Sequence, residues 1–353
     1  MFGLRPGTIS PLSMLNASDM QLTHKERIER TLEGRESDHP PISAWRHFYH
    51  RENSKDQLVE AMIEFQRKFD WDFVKINSRA SYHIEDWGAV TEFSSDPLIK
   101  PRTISLPIRH KSDWEKIKRL PVNSGALGET LAACRDLVNL IGDEVHCLPT
   151  IFSPLSIAAD LVDGDQRFVK LLRDGPGELH MALDAITGTF AEFVRQLLGA
   201  GVSGIFFATT EWANRSLLTE EEYLEFGKPY DLRVLKAAEP APFNVIHVCS
   251  KNNMLPLFRD YPAQVLSWNS FDEGNLSVHQ AAQIFNKIFL TGMDHNITLK
   301  AGPAEKIRQQ IELSLNEAPI GRIIVGPGCA VKVSTPDDNL RVAIDAVKSW
   351  RRT

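Results

Sequence analysis

The sequence lacks several features that would assign it to a class of protein at once. It has only four cysteines among 353 residues, and no two form a Cys-x-x-Cys pair, so a disulfide framework is not indicated. A reducing, cytoplasmic compartment is therefore expected. No stretch approaches the roughly 18 continuous apolar residues of a membrane-spanning helix. The first 21 residues also lack the basic segment and apolar block of a signal peptide.

The chain also lacks an excess of positive charge. Its net charge is −6 and its pI is near 6.0, so neither a nucleic acid nor an anionic membrane is an expected partner. The 20 prolines are spread along the chain and mark no low-complexity linker. With 42% hydrophobic residues, the chain can bury one large core.

Apolar runs with the character of strands alternate with amphipathic helices along most of the chain. We identify eight such strands, at 40–45, 72–76, 144–151, 204–209, 243–249, 263–268, 287–292 and 322–325. Because crossovers between parallel strands are right-handed, this order favours a single α/β domain, a (β/α)8 TIM barrel. An open doubly wound sheet is the alternative, but no Gly-rich phosphate loop supports it.

Three further features complete the predicted organisation. Residues 1–22 are expected to form an N-terminal extension, either a mobile arm or a contact for a partner, and 23–353 the barrel. The irregular segment 81–110, after strand two, predicts a β-ribbon insertion over one mouth of the barrel. Four capping boxes predict helix starts, at Thr23/Glu26, Ser112/Glu115, Thr219/Glu222 and Ser277/Gln280.

Polar residues follow the predicted strands, and in a TIM barrel the carboxyl ends of the strands form the active-site face. A proton-transfer role is predicted for His47, Glu211 and Asp294. A role in binding a small-molecule substrate is predicted for Arg46, Lys75, Asn77, Ser153, Asn269 and Met293.

A possible metal site stands out among these strand ends. His247 and Cys249 are two residues apart, so one strand face can present both, and Cys329 ends the last strand. One imidazole and two thiolates suit zinc, and three protein ligands leave a fourth position for a substrate. Glu211 is a candidate fourth ligand or proton acceptor. The competing interpretation is that these cysteines are small core residues.

The other polar residues also have structural alternatives. Arg46 and His47 could form an ion pair that closes the barrel mouth. Asp272 and Asp294 could cap loops or helix starts. The Gly326-Pro327-Gly328 turn could simply allow a tight exit from the last strand.

Taken together, the motifs resemble the uroporphyrinogen decarboxylase superfamily from about Arg27 to Trp350. The motifs are Trp45-Arg46-His47-Phe48, Asp86-Trp87-Gly88, Phe152-Ser153-Pro154-Leu155, His247-Val248-Cys249, Gly292-Met293-Asp294, and Gly326-Pro327-Gly328-Cys329 followed by Ser334-Thr335-Pro336. The family fold is a (β/α)8 barrel, in agreement with the strand count.

The resemblance implies one of two activities. The decarboxylase branch uses an Arg-Gln-x-Gly-Arg segment after strand one, which this chain replaces with Arg46-His47-Phe48-Tyr49-His50-Arg51. The cobalamin-dependent methyltransferase branch holds zinc with a His-x-Cys and a later Cys, and His247, Cys249 and Cys329 match that pattern. This branch implies a thiol-like nucleophile that takes a methyl group from a corrinoid, carried by a partner protein.

Two alternatives to this zinc-dependent methyl (alkyl) transferase stay open. One is a decarboxylase (lyase) of a small aromatic or pyrrole-type acid, in which Arg46 binds a carboxylate and His47, Glu211 or Asp294 moves the proton, with or without zinc polarising the substrate. The other is a barrel retained as a binding or scaffold protein. Family members of the decarboxylase branch form dimers across the active-site face, so a homodimer is an open expectation here.

Overall fold

The protein is described by a computed structural model that covers residues 21–352. Its nine strands are Phe73–Ile76 (β1), Val90–Glu92 (β2), Arg102–Ser105 (β3), His146–Phe152 (β4), Phe206–Ala208 (β5), Val245–His247 (β6), Val265–Ser267 (β7), Ile288–Met293 (β8) and Ile323–Pro327 (β9). Its thirteen α-helices are His24–Leu32 (α1), Lys55–Phe69 (α2), Tyr82–Glu85 (α3), Gly125–Ile141 (α4), Pro154–Asp160 (α5), Asp165–Asp174 (α6), Pro176–Gly199 (α7), Glu220–Phe226 (α8), Lys228–Ala238 (α9), Val278–Ile284 (α10), Thr298–Ala301 (α11), Ala304–Glu317 (α12) and Asp337–Ser349 (α13).

Seven of the strands form one curled parallel sheet. Their order is β1-β4-β5-β6-β7-β8-β9, so each strand pairs with the next one along the chain apart from the β2–β3 excursion. This α/β arrangement is consistent with a TIM-like barrel and agrees with the predicted strands two to eight. None of the helices within 21–352 is long and apolar enough to cross a membrane.

The predicted first strand, 40–45, is not a regular strand. Two prolines at its start have no N–H to donate to a ladder, and only Ile42 forms a β-bridge, with Val325 of β9. The segment nevertheless bonds on both sides: Ser43 N–H donates to Val325 O (3.0 Å), and Asp72 N–H donates to Ile42 O (3.0 Å). It therefore lies between the two edge strands of the sheet.

The interior of the curled sheet is apolar at the amino ends of the strands. Trp45, Phe73, Phe206 and Phe243 pack there, and α1 adds Ile28 to the same cluster. Nearer the carboxyl ends the buried residues become polar, as with Thr150, His247 and Ser267. Because buried polar groups need partners, this end is where a ligand or metal would be bound.

Three of the predicted capping boxes are confirmed, at Thr23/Glu26, Thr219/Glu222 and Ser277/Gln280. The prediction at Ser112/Glu115 was wrong. A 3-10 helix, Lys111–Lys116, begins there instead, because the Asp113 carboxylate accepts the N–H groups of Arg109 and His110 (2.8 Å each). The cap therefore lies two residues earlier.

Within the segment 81–110, β2 and β3 form a two-stranded antiparallel pair. That this pair is an insertion over one mouth of the barrel stays a prediction. The predicted extension, 1–22, lies outside the described residues apart from Gln21 and Leu22.

Candidate metal centre

Strands β6 and β9 bring the three predicted ligands together. His247 is the last residue of β6, Cys249 follows two residues later, and Cys329 lies two residues beyond the end of β9. The Sγ atoms of Cys249 and Cys329 are 3.6 Å apart. The ligand atoms of all three residues lie within 4.8 Å of one another. No other group of three such residues within 21–352 is close enough to hold a metal ion.

The imidazole of His247 is fixed on one side and open on the other. Its Nδ1 lies 3.1 Å from Ser267 Oγ on the neighbouring strand β7. Its Nε2 is buried and has no hydrogen-bond partner in the described part of the chain. An unpaired buried nitrogen is costly unless a ligand satisfies it, and a metal-bound histidine ordinarily has this arrangement, with the second ring nitrogen held by a polar group.

The two neighbouring thiols shift each other's pKa in opposite directions, so that ionisation of one opposes ionisation of the other. The Cys249 thiol donates to Cys329, which lowers the pKa of Cys329 well below its usual range and raises that of Cys249. His247 lowers the pKa of Cys329 further, while burial opposes ionisation of both thiols. A divalent cation bound between the sulfur atoms would stabilise both thiolates together. The donor set therefore fits zinc.

Close backbone packing fixes the position of Cys329. A Cβ atom on Gly328 would lie 2.4 Å from the Cβ of Asn269 and 2.8 Å from its Cα. Gly328 N–H also donates to Met293 O (2.9 Å), which ties the turn to the end of β8. The Gly-Pro-Gly turn thus allows the close approach that brings Cys329 to the other ligands.

Strained backbone surrounds the same strand ends. Positive φ angles of 46°, 68° and 52° occur at Thr210, Ser250 and Asn252, in a region of backbone conformation that residues other than glycine seldom adopt. Ser250 directly follows Cys249, and its carbonyl accepts a hydrogen bond from Asn275 Nδ2 (3.0 Å). Such strain is found preferentially at functional sites, where the surrounding structure holds it.

Lys75 and Asn77 lie together inside the sheet. The Lys75 ammonium donates to Asn77 Oδ1 and to Thr150 Oγ1 (2.7 Å), and it lies 4.6 Å from the centre of the Phe206 ring. Burial lowers the pKa of Lys75 to about 7, although Cys329 and Cys249 oppose the shift. Asn77 Nδ2 and Ser78 Oγ are buried without a hydrogen-bond partner in the described residues. Buried polar atoms without a protein partner are ones that a small polar ligand would satisfy.

Three of the other predicted side chains make structural contacts. Ser153 caps α5, because its Oγ accepts the N–H of Ser156 (3.1 Å). The Asp294 carboxylate accepts the N–H groups of the next loop, which supports the capping interpretation; the donors are Asn296, Ile297 and Thr298. Met293 packs in the hydrophobic cluster between sheet and helices.

Asn269 and Glu211 lie closer to the candidate ligands. Asn269 is buried against Gly328, and its Nδ2 lies 3.4 Å from Asp294 Oδ1. Burial raises the pKa of Glu211, and the nearby Asp160 carboxylate raises it further. The Glu211 charge in turn raises the pKa of Cys249, so the two side chains interact electrostatically.

Arg46 and His47 do not pair with each other. The Arg46 guanidinium lies 4.9 Å from the centre of the Phe65 ring of α2 and 3.9 Å from Asp337 at the start of α13. The Arg46 side chain therefore contacts the helices α2 and α13. The His47 Nδ1 lies 2.7 Å from Glu52 Oε1 instead.

The sequence did not indicate three residues of this region. Ser267 was missed because its contact with His247 depends on the register between β6 and β7. Glu52 lies in a loop with no periodic pattern. His295 directly follows Asp294; it is buried, with Nδ1 unpartnered among the described residues, and it helps to lower the pKa of Cys329.

Comparison with known proteins identifies the family. The family model of uroporphyrinogen decarboxylase (URO-D) matches residues 23–350. The chain belongs to this family. It is similar to a methylcobamide:CoM methyltransferase of Methanosarcina acetivorans, with 22% identity over 255 residues that cover 71% of this chain and 72% of the relative. It is also similar to a uroporphyrinogen decarboxylase of Prochlorococcus marinus, with 25% identity over 271 residues, 72% of each chain.

A solved structure agrees on the fold. A methyltransferase from Methanosarcina mazei superposes with a TM-score of 0.79 at 18% identity and covers 92% of this chain and 98% of its own. The relatives within the URO-D family thus include both methyltransferases and decarboxylases, and the predicted resemblance is confirmed.

Proposed function

We propose that this protein is a zinc-dependent methyltransferase that moves a methyl group from a corrinoid to a thiol-like nucleophile. The observation that carries the proposal is the unpartnered Nε2 of His247 beside two thiols whose sulfur atoms are 3.6 Å apart. The activity for which the Methanosarcina acetivorans relative is named, methyl transfer between a methylcobamide and CoM, supports the same chemistry. A closed (β/α)8 barrel is the fold that we propose for it.

His247, Cys249 and Cys329 would hold the zinc ion. When bound, the ion supplies a positive charge that lowers the pKa of a substrate thiol and keeps a position open for its sulfur. Ser267 holds the imidazole so that Nε2 faces the two sulfur atoms. Gly328 keeps Cys329 close to Asn269 and so maintains the spacing of the ligands.

The other polar residues would form the substrate pocket. Asn77, with its unpartnered Nδ2, and Lys75 beside it are the strongest candidates for contacts to the substrate. Glu211 interacts with Cys249 and is a candidate proton acceptor. Asp294, Ser153, Asn269 and Met293 would act by shaping the pocket walls rather than by touching the reacting atoms.

The methyl donor would reach the mouth of the barrel on a separate corrinoid protein. The candidate ligands lie at the carboxyl ends of the strands of the curled sheet, where a docked partner could present the methyl group. A homodimer, proposed from the family alone, would have to leave that mouth accessible.

The decarboxylase alternative receives less support. It requires Arg46 to bind a substrate carboxylate, whereas the guanidinium lies over Phe65 and near Asp337. In its zinc-free form it also leaves the two thiols and the His247 Nε2 without a role.

The decisive test measures zinc and activity in the same preparations. We expect about one zinc per chain in the parent protein and loss of zinc in Cys249→Ala and Cys329→Ala. Cys134→Ala, which changes a buried core cysteine of α4, should keep its zinc. The zinc-loaded parent should convert methylcobalamin and 2-mercaptoethanol to a thioether. The loss of methylcobalamin absorbance measures the rate of this reaction. A parent that stays free of metal after incubation with zinc would rule out the proposal.

A further inference from the structure

Two of the four cysteines differ from the others in position and exposure. Cys134 of α4 and Cys147 of β4 are buried in the hydrophobic core, out of contact with solvent. Cys249 and Cys329 are half-buried, and each follows the end of a strand instead of lying within one. Their sulfur atoms are 3.6 Å apart. A small oxidant that enters at the carboxyl ends of the strands would therefore meet two thiols side by side.

The spacing of these two sulfur atoms suits two chemical states. Two sulfur atoms that each lie about 2.3 Å from one tetrahedral zinc ion are about 3.8 Å from each other. In a disulfide the same two atoms are about 2.05 Å apart. Starting from 3.6 Å, the disulfide requires an approach of roughly 1.5 Å, shared between two side chains that each turn about a Cα–Cβ bond.

The backbone before each of the two cysteines is bonded to a neighbouring strand. Val248 N–H donates to Ser267 O of β7 (2.9 Å), and Gly328 N–H donates to Met293 O of β8 (2.9 Å). Neither hydrogen bond involves a metal ligand atom. The fold itself therefore brings the two thiols together, and a loss of metal would leave them close to each other.

We propose that Cys249 and Cys329 form a reversible disulfide with a peroxide as the oxidant, and that this bond and zinc exclude each other. With hydrogen peroxide, one sulfur attacks an oxygen atom: an S–O bond forms, the O–O bond breaks, and the departing hydroxide takes a proton. The second sulfur then attacks the first, so that the S–S bond forms, the S–O bond breaks and a second hydroxide takes a proton. The two cysteines lose two electrons to the peroxide, and the two thiol protons end in two water molecules.

The disulfide would remove both thiolates from the metal centre. Only His247 would remain of the three ligands, which is too few to hold zinc. This consequence rests on the proposed function, whereas the disulfide itself depends only on the spacing of the sulfur atoms. A thiol reductant would reverse the bond by exchange and restore the ligands. The pair would thus switch the methyltransferase off under oxidation, as expected of the transient disulfides of reducing compartments.

Oxidation of the full chain tests the pair by mass spectrometry. Metal-free and zinc-loaded protein are each treated with an equimolar amount of hydrogen peroxide. We expect the metal-free monomer to lose two hydrogen atoms and two of its four free thiols, and digestion without reductant to give one linked peptide pair that contains Cys249 and Cys329. The zinc-loaded protein should react more slowly and release about one zinc ion per disulfide formed. Dithiothreitol should restore the thiols and the zinc binding.

Two variants and the unfolded chain serve as controls. Cys134→Ala, which changes a buried cysteine, should form the same link as the parent. Cys249→Ser should form no link and should leave a sulfenic acid at Cys329, which dimedone traps. In urea the parent chain should link its four cysteines without this preference, because the fold that selects the pair is absent.

Each contrary result has a distinct meaning. If the folded, metal-free parent keeps all four thiols, links two separate chains, or gives the same mixture of links as the unfolded chain, the proposed disulfide is wrong. If the link forms while zinc stays bound, the mutual exclusion is wrong. If the parent forms the link but never binds zinc, the proposed function and the exclusion fail together and the disulfide stands. If it binds zinc but forms no link when metal-free, the disulfide fails and the proposed function stands.

Discussion

Gly328→Ala is the substitution whose effect follows most directly from the geometry. The added Cβ would lie 2.4 Å from Asn269 Cβ, 2.5 Å from its Cγ and 2.8 Å from its Cα. Carbon atoms pack at about 3.5 Å or more, so one backbone must move by roughly 1 Å. Rotating the Asn269 side chain cannot relieve the clash, because its Cα and Cβ are part of it. The turn that carries Cys329 must therefore shift.

The size of that shift sets the expected loss of metal affinity. Bond lengths in a metal site tolerate deviations of about 0.2 Å, so a displacement of roughly 1 Å at the turn before Cys329 should weaken that ligand. Overpacking typically costs about 1–3 kcal/mol. If the metal-free turn relaxes and the zinc-bound turn keeps this strain, the cost corresponds to a loss of roughly 5- to 150-fold in zinc affinity. Competition against a chromophoric chelator measures this affinity, and thermal unfolding shows whether the variant still folds.

Gly199→Ala is the matched control, because a Cβ at the last residue of α7 meets nothing within 4 Å. Its zinc affinity should equal that of the parent. A folded Gly328→Ala protein that binds zinc within twofold of the parent would refute the reasoning, since Cys329 would then either not depend on the turn or not be a ligand.

Two further predictions follow from the same structure. Ser267→Ala removes the side chain that holds His247 Nδ1 and should weaken zinc binding by about tenfold or more. Ser43→Ala is the control, because Ser43 is a buried serine bonded to Phe73 O (2.7 Å), and it should keep the affinity of the parent. Equal affinities in the two variants would contradict the role of Ser267. Burial raises the pKa of Asp231 from 3.8 to about 7. Between about pH 4 and pH 7 this carboxyl is therefore ionised in the unfolded chain but protonated in the folded protein. As the pH rises through this range, the free energy of unfolding should fall by up to about 1.4 kcal/mol per pH unit. Asp231→Asn should flatten this slope in urea unfolding at several pH values; an unchanged slope would show that Asp231 is not its source.

The sequence by itself determined the features that depend on local pattern. The alternation of apolar strands and helices predicted the parallel sheet from strand two onward, and the capping boxes at Thr23, Thr219 and Ser277 predicted helix starts, because side chain and backbone lie within one turn of each other. His247 and Cys249 were predicted to point the same way because they are two residues apart on a strand. Cys329 was placed with them because both strands end at the same face of a barrel.

Only the tertiary structure decided which partner each polar side chain meets. Arg46 and His47 are adjacent in sequence, yet one lies over Phe65 and the other on Glu52, because neighbouring residues in an extended segment point in different directions. Asp294 caps its own loop, a choice that depends on how the chain turns after β8. Ser267 reaches His247 through the register of two parallel strands, and register is set by the packing of the whole sheet rather than by either strand alone.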